Sequence, residues 1–144
     1  LKQRTILIFI TIILLVVFAA TLPAMAAPKS SGPTISWTNA PRKNVLNLHV
    51  GESYTLDLQV KSSTPFDSAT AIVNQFYPGR GIFYHGADQV GSGTSATLHL
   101  TVTGKEPTNT LPGGYAPASA VVGVRYGGNN TVTKQFDFKV FVTP

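Results

Sequence analysis

The feature that most limits what this chain can become is an alternation of apolar and polar side chains, repeated from Thr34 to Val142. In SYTLDLQVK, Ser53 to Lys61, the apolar Tyr54, Leu56, Leu58 and Val60 are separated by Thr55, Asp57 and Gln59. A β-strand throws successive side chains to opposite faces, so such a run builds one dry face and one wet face. The pattern returns in Thr94 to Thr103, with Ala96, Leu98, Leu100 and Val102 expected inward and Thr97, His99 and Thr101 outward. It returns again in the closing segment, where Phe136, Phe138, Val140 and Val142 share one face and Gln135, Asp137 and Lys139 the other. Thr34 to Thr38 and Val45 to Val50 are expected to pair as short strands, and Ser68 to Phe76, Gly81 to His85 and Tyr115 to Tyr126 complete the set. GGNNT, residues 127–131, has the glycines and asparagines that accept the positive φ of a tight hairpin. With turn residues between short strands and no helical period, the expected fold is all-β: an antiparallel sandwich of about seven to nine strands.

Ahead of the strands, Lys2 and Arg4 precede an apolar run from Ile6 to Ala20, then Pro23 and Ala24-Met25-Ala26. This is the layout of a secretory signal helix over residues 1–26 with cleavage after Ala26, and it predicts a secreted or cell-surface protein. The alternative is an uncleaved anchor, the single route by which this chain would meet a membrane. Residues 27–33, APKSSGP, read as a flexible lead into one domain spanning 34–144.

The chain has no cysteine, which excludes disulfides, thiolate metal sites and a cysteine nucleophile. Its formal charge is +5 at pH 7, but the basic residues are scattered, so the clustered footprint of a nucleic-acid binder is missing. The one methionine lies in the signal segment, which removes the usual thioether ligand for copper. His49, His85 and His99 form no metal-binding spacing and read as exposed, and the acidic residues stand singly. No G-x-S-x-G elbow or paired carboxylates are present; GSGTS, residues 91–95, reads as a turn before a strand. No catalytic residue, metal or cofactor is therefore expected, and a small hydrolase is the remote alternative.

Three stretches, HVGESYTLDLQV (residues 49–60), GSGTSATLHLTVTG (91–104) and LPGGYAPASAVVGVRYGG (111–128), lead to the closing FDFKVFV. Together they resemble the immunoglobulin-like domains of bacterial and archaeal secreted and surface proteins, of the CARDB, NEW3 and S-layer-associated type. The resemblance covers most of residues 34–144 and implies an immunoglobulin-like sandwich serving in adhesion, support or presentation, with Tyr115 packing at a sheet corner.

The richest stretch for recognition is NQFYPGRGIFYHG, residues 74–86. Its Pro78-Gly79 pair is turn chemistry, and alternation puts Phe76 and one of Phe83 or Tyr84 toward the core as a plug. The rival reading is an exposed platform of Tyr77, Tyr84 and Trp37 with Arg80 supplying directed hydrogen bonds. Its partner would be a cell-wall or extracellular polysaccharide or another surface protein. Asn129-Asn130-Thr131 is a glycosylation sequon on an expected hairpin, with Asn129 the acceptor. The last strand, rich in Phe and Val, is expected to form a sheet edge open to pairing with another chain, guarded by Lys134 and Lys139.

Overall fold

The computed structural model describes residues 32–85 and 88–144. The expected signal segment and residues 27–31 of the lead over 27–33 lie outside the described residues. Within them, eight strands run in the order β1 (Thr34–Trp37), β2 (Val45–His49), β3 (Ser53–Gln75), β4 (Ile82–His85), β5 (Asp88–Val90), β6 (Gly93–Gly104), β7 (Ala116–Tyr126) and β8 (Asn130–Thr143). Three single 3-10 turns, Arg42–Asn44, Thr108–Thr110 and Pro112–Gly114, are the helical elements among the described residues. None of these is long and apolar enough to cross a membrane.

The long strand β3 organises the molecule. Its first part, Ser53 to Lys61, pairs antiparallel with β6 on one side and with β1 on the other, and β4 extends that sheet beyond β6. Its second part, Phe66 to Gln75, leaves β6, joins β7 and carries β5 over Ala69 to Ala71. Beyond β7 come β8 and then β2. The chain thus contributes one continuous strand to two layers, where two separate strands were expected. The register shifts at Lys61/Phe66 and Phe66/Ser68 mark the crossing, and Pro65, which has no N–H for a ladder, sits inside it.

The first expected pair does not form. β1 joins β3, whereas β2 runs parallel to β8 from Val45↔Lys139 to His49↔Thr143, the one parallel pairing among the described residues. Strand β8 is an outer edge only in part: β7 flanks residues 130–140 on one side and β2 covers residues 139–143 on the other, which leaves residues 130–138 with one strand neighbour among the described residues. Lys134 turns its ammonium onto the Ile35 carbonyl of β1 at 2.9 Å, tying the two layers at their side.

Between the layers the inward residues of Ser53–Lys61, Thr94–Thr103 and the closing strand are as the alternation predicts. Leu56, Leu58, Val60, Leu98, Leu100 and Val102 on one side meet Ala71, Val73, Ala120, Val122, Val124 and Val140 on the other, all essentially without exposure. Burying this apolar surface is the main stabilising contribution in a chain with no covalent crosslink. The β7–β8 hairpin closes at Tyr126↔Asn130 with Gly127 and Gly128 at positive φ, as the GGNNT sequence requires. At the opposite end the turn after β2 lies directly on β6. Gly51 N–H donates to Gly104 O at 2.8 Å, and a Cβ on Gly104 would stand 2.6 Å from His49 O. Only glycine allows that approach.

Candidate ligand-binding face

The stretch 74–86 is divided by the fold. After the register shift at Ser68, odd-numbered residues of β3 point inward, so Ala69, Ala71 and Val73 are buried and Asn74 is exposed. Phe76 follows on the outer side and is 74% exposed, the opposite of the expected plug. In β4 the core residue is Ile82; Phe83 and Tyr84 stay exposed at 40% and 36%. A single extra residue in the ladder reverses the face on which every later side chain falls.

Tyr77 packs partly against the core, with its ring edge-on to Phe76 at 5.5 Å. Arg80 serves as a brace. Its Nε donates to Glu106 Oε1 at 3.4 Å and its Nη2 to Thr110 Oγ1 at 3.3 Å, joining the 77–81 turn to the segment before β7. Lys105 strengthens the same junction, with its backbone N–H on Gly81 O and its ammonium on Gly79 O. Gly81 (φ 75°) holds a backbone conformation that strains any side chain, and a Cβ there would crowd Thr108 Cγ2 at 3.0 Å. Trp37 is buried at 8% exposure, edge-packed on Phe136 and Phe138, with its indole N–H donating to Asn39 Oδ1. It is a core residue and cannot join an exposed platform. Asn129 is exposed in the hairpin turn, where its N–H donates to Gly127 O.

What the fold brings together instead is a groove of about 460 Å³ on the outer face of the β3–β7–β8 layer. Its floor follows the cross-strand register Asn74↔Ser119↔Asp137, and Gln135 Nε2 holds Asp137 Oδ1 at 2.7 Å. Phe76 forms one wall beside Pro117. The other wall is Tyr115, whose ring rests on Phe141 at 5.6 Å and lies under the Lys139 ammonium at 4.5 Å. Lys43 and Asn44, just ahead of β2, complete the rim. These two are the non-glycine residues at positive φ among the described residues, 58° and 54°. Such backbone costs on the order of 1–3 kcal/mol per residue and tends to gather at functional sites. The side chains of Asn44, Asn74 and Ser119 make no hydrogen bond to other described residues.

Tyr115 is delivered by a buried threonine. Thr108 is 1% exposed; its Oγ1 donates to Gly114 O at 2.9 Å and accepts the Val142 N–H at 3.0 Å, pinning the 108–115 loop to β8. A second concavity, of about 350 Å³, opens beside the groove between Val73, Gln75, Pro78, Gly79 and Tyr84. Asn74 and Gln75 belong to the walls of both. Gln75 Oε1 is buried with no hydrogen-bond partner among the described residues.

Part of the outer face of the other layer is tied by its own bonds. Thr55 and Thr101 hydroxyls meet across strands at 3.2 Å, and Ser53 meets Thr103 at 2.6 Å. Asn39 bonds Asp57 Oδ2, the Thr55 carbonyl and the Asp57 N–H. His99 lies outward as expected, with Nδ1 at 2.8 Å from Asp57 Oδ1, and its N–H donates to Asp88 Oδ2. Two acids that stand apart in sequence thus converge on one histidine. No group of three or more His, Asp or Glu arranged to hold a metal ion occurs among the described residues.

No protein-family model and no curated protein sequence matches the chain. Solved structures do. The PapD-like domain 7 (ASH domain) of human CEP192 superposes with a TM-score of 0.50 at 9% identity, covering 85% of this chain and 92% of that one. A conjugative transposon lipoprotein from Bacteroides eggerthii gives 0.44 at 16% identity, covering 76% and 98%. Murine CRIg gives 0.43 at 10% identity, covering 79% and 100%. At such identities the likeness concerns architecture alone: the chain folds as an immunoglobulin-like, PapD-like β-sandwich.

Proposed function

We propose that this is a non-catalytic recognition domain of a secreted or cell-surface protein, and that it engages its ligand in the groove on the outer face of the β3–β7–β8 layer. The observation that carries this reading is the pairing of an exposed aromatic wall, Phe76, with polar side chains that the fold leaves without partners. Recognition sites combine apolar contact area with a few placed polar groups, and this groove has both. The site departs from the expected loop platform in its members: Phe76, Tyr115, Asn74 and Ser119 replace Trp37, Tyr77 and Arg80. Localisation at the surface rests on the signal-like segment of residues 1–26.

The test is retention of cell-wall and extracellular polysaccharide fractions, and of surface-protein fractions, by the purified protein and by Ser119→Arg. The arginine would fill the groove from an outward strand position without touching the core. Retention lost in the variant, with circular dichroism and thermal midpoint unchanged, supports the reading. Equal behaviour of both proteins defeats it and leaves a spacer role.

A further inference from the structure

We infer that the ligand is an uncharged sugar chain that lies in the outer-face groove and continues past Phe76 into the concavity beside Tyr84. This rests on the groove being the recognition site and adds the chemical class and the path of what fills it.

Three observations point to a sugar. Pyranose rings present C–H-rich faces that stack on aromatic side chains while their hydroxyls seek amides and hydroxyls at the rim. Phe76, with most of its ring in solvent, offers the stacking surface, and Asn44, Asn74 and Ser119 offer uncommitted donors and acceptors. The charges at the groove are already engaged or opposed: Asp137 is held by Gln135, and Lys139 lies over the Tyr115 ring. An anionic chain would face Asp137 on the floor, and a cationic peptide would face Lys43 and Lys139.

The path follows from the shared wall. Asn74 and Gln75 border both concavities, and the aromatic side chains succeed one another as Tyr115 and Phe76 on the first and Tyr84 on the second. Each space, about 460 and about 350 Å³, exceeds one sugar ring, so the pair suits a chain of several linked units. Tyr84 thereby regains a role, as the far contact of an extended ligand.

Calorimetric titration of the full-length protein decides this, with disaccharides and hexasaccharides of four neutral series: β-1,4-glucose, β-1,4-N-acetylglucosamine, β-1,4-mannose and α-1,4-glucose. The expected result is binding in at least one series, about tenfold tighter for the hexamer, unchanged between low and high salt. Phe76→Ala should weaken it about tenfold in every chain length, and Tyr84→Ala should remove the gain from chain length while leaving the disaccharide affinity intact. Equal affinities for short and long chains, or a silent Tyr84→Ala, overturn the two-part path yet leave the groove as the recognition site. Absence of binding in all four series, or a steep salt dependence, overturns the uncharged sugar. The recognition reading itself falls only with an unaffected Ser119→Arg.

Discussion

The two outer faces of this sandwich are built from the same kinds of residue and end in opposite states. On the β1–β3–β6 side, Asn39, Asp57, His99, Thr55 and Thr101 bond to one another, so this part of the wet face is tied internally. On the β3–β7–β8 side, Asn44, Asn74 and Ser119 have no such partners and stand beside exposed Phe76. Polar residues on a sheet surface therefore do not announce a site by their type. What separates these clusters is whether a neighbouring strand brings a partner's polar atoms within hydrogen-bond distance. Asp57 stands opposite His99, whereas Ser119 has Asn74 on one side and on the other an Asp137 already taken by Gln135.

The largest expected effect is on the support of the open face. Thr108→Val removes the acceptor of the buried Val142 N–H and the donor to Gly114 O. It should cost about 1–3 kcal/mol in denaturant unfolding, and weaken ligand binding by loosening Tyr115. A variant of unchanged stability would mean that the loop is held by packing alone. Next in size, Phe76→Ala should lower affinity about tenfold while moving stability by no more than about 0.5 kcal/mol. A large loss of stability would return Phe76 to the role of a plug.

The β1–β3–β6 layer gives smaller, purely structural effects. Burial first, and then the nearby Asp57 carboxylate, push the Tyr54 phenol above its usual 10.0. As pH rises past that value the unfolded chain gives up the proton first, so this contribution is complete below pH about 10 and is lost as pH climbs through the folded value. Unfolding midpoints of the parent should thus fall more steeply above pH 10 than those of Tyr54→Phe; parallel curves would contradict the assignment. Smallest of all, His99→Gln breaks an exposed contact with Asp57 and should cost less than about 1 kcal/mol, with ligand binding untouched. Weakened binding would erase the distinction between the faces.

The strands were legible wherever alternation ran unbroken, as from Tyr54 to Val60 or from Phe136 to Val142, because period two maps directly onto a half-buried ladder. The hairpin at Gly127 was legible for the same local reason. The crossing of β3 between layers was not, since it requires register shifts near Pro65 instead of a turn, and the shifted phase reversed the expected side of Phe76. Strand order was hidden too: β2 follows β1 closely yet pairs with β8, a choice made by contacts distant in sequence. Of the expected site residues, Tyr84 remains at a concavity, while Trp37 went to the core and Arg80 to a loop brace. The groove escaped sequence reasoning because its floor is assembled from single residues of three strands. Neighbouring signals existed in Tyr115 and Phe76, but nothing local joins them.

The account stands or falls on which face meets the ligand. The most direct measurement is mapping of backbone amide chemical shifts as the isotopically labelled protein is titrated with the fraction it retains. Perturbations gathered at Asn74, Phe76, Ser119 and Asp137 are the predicted result. Perturbations centred on Thr55, His99 and Thr101 would contradict it.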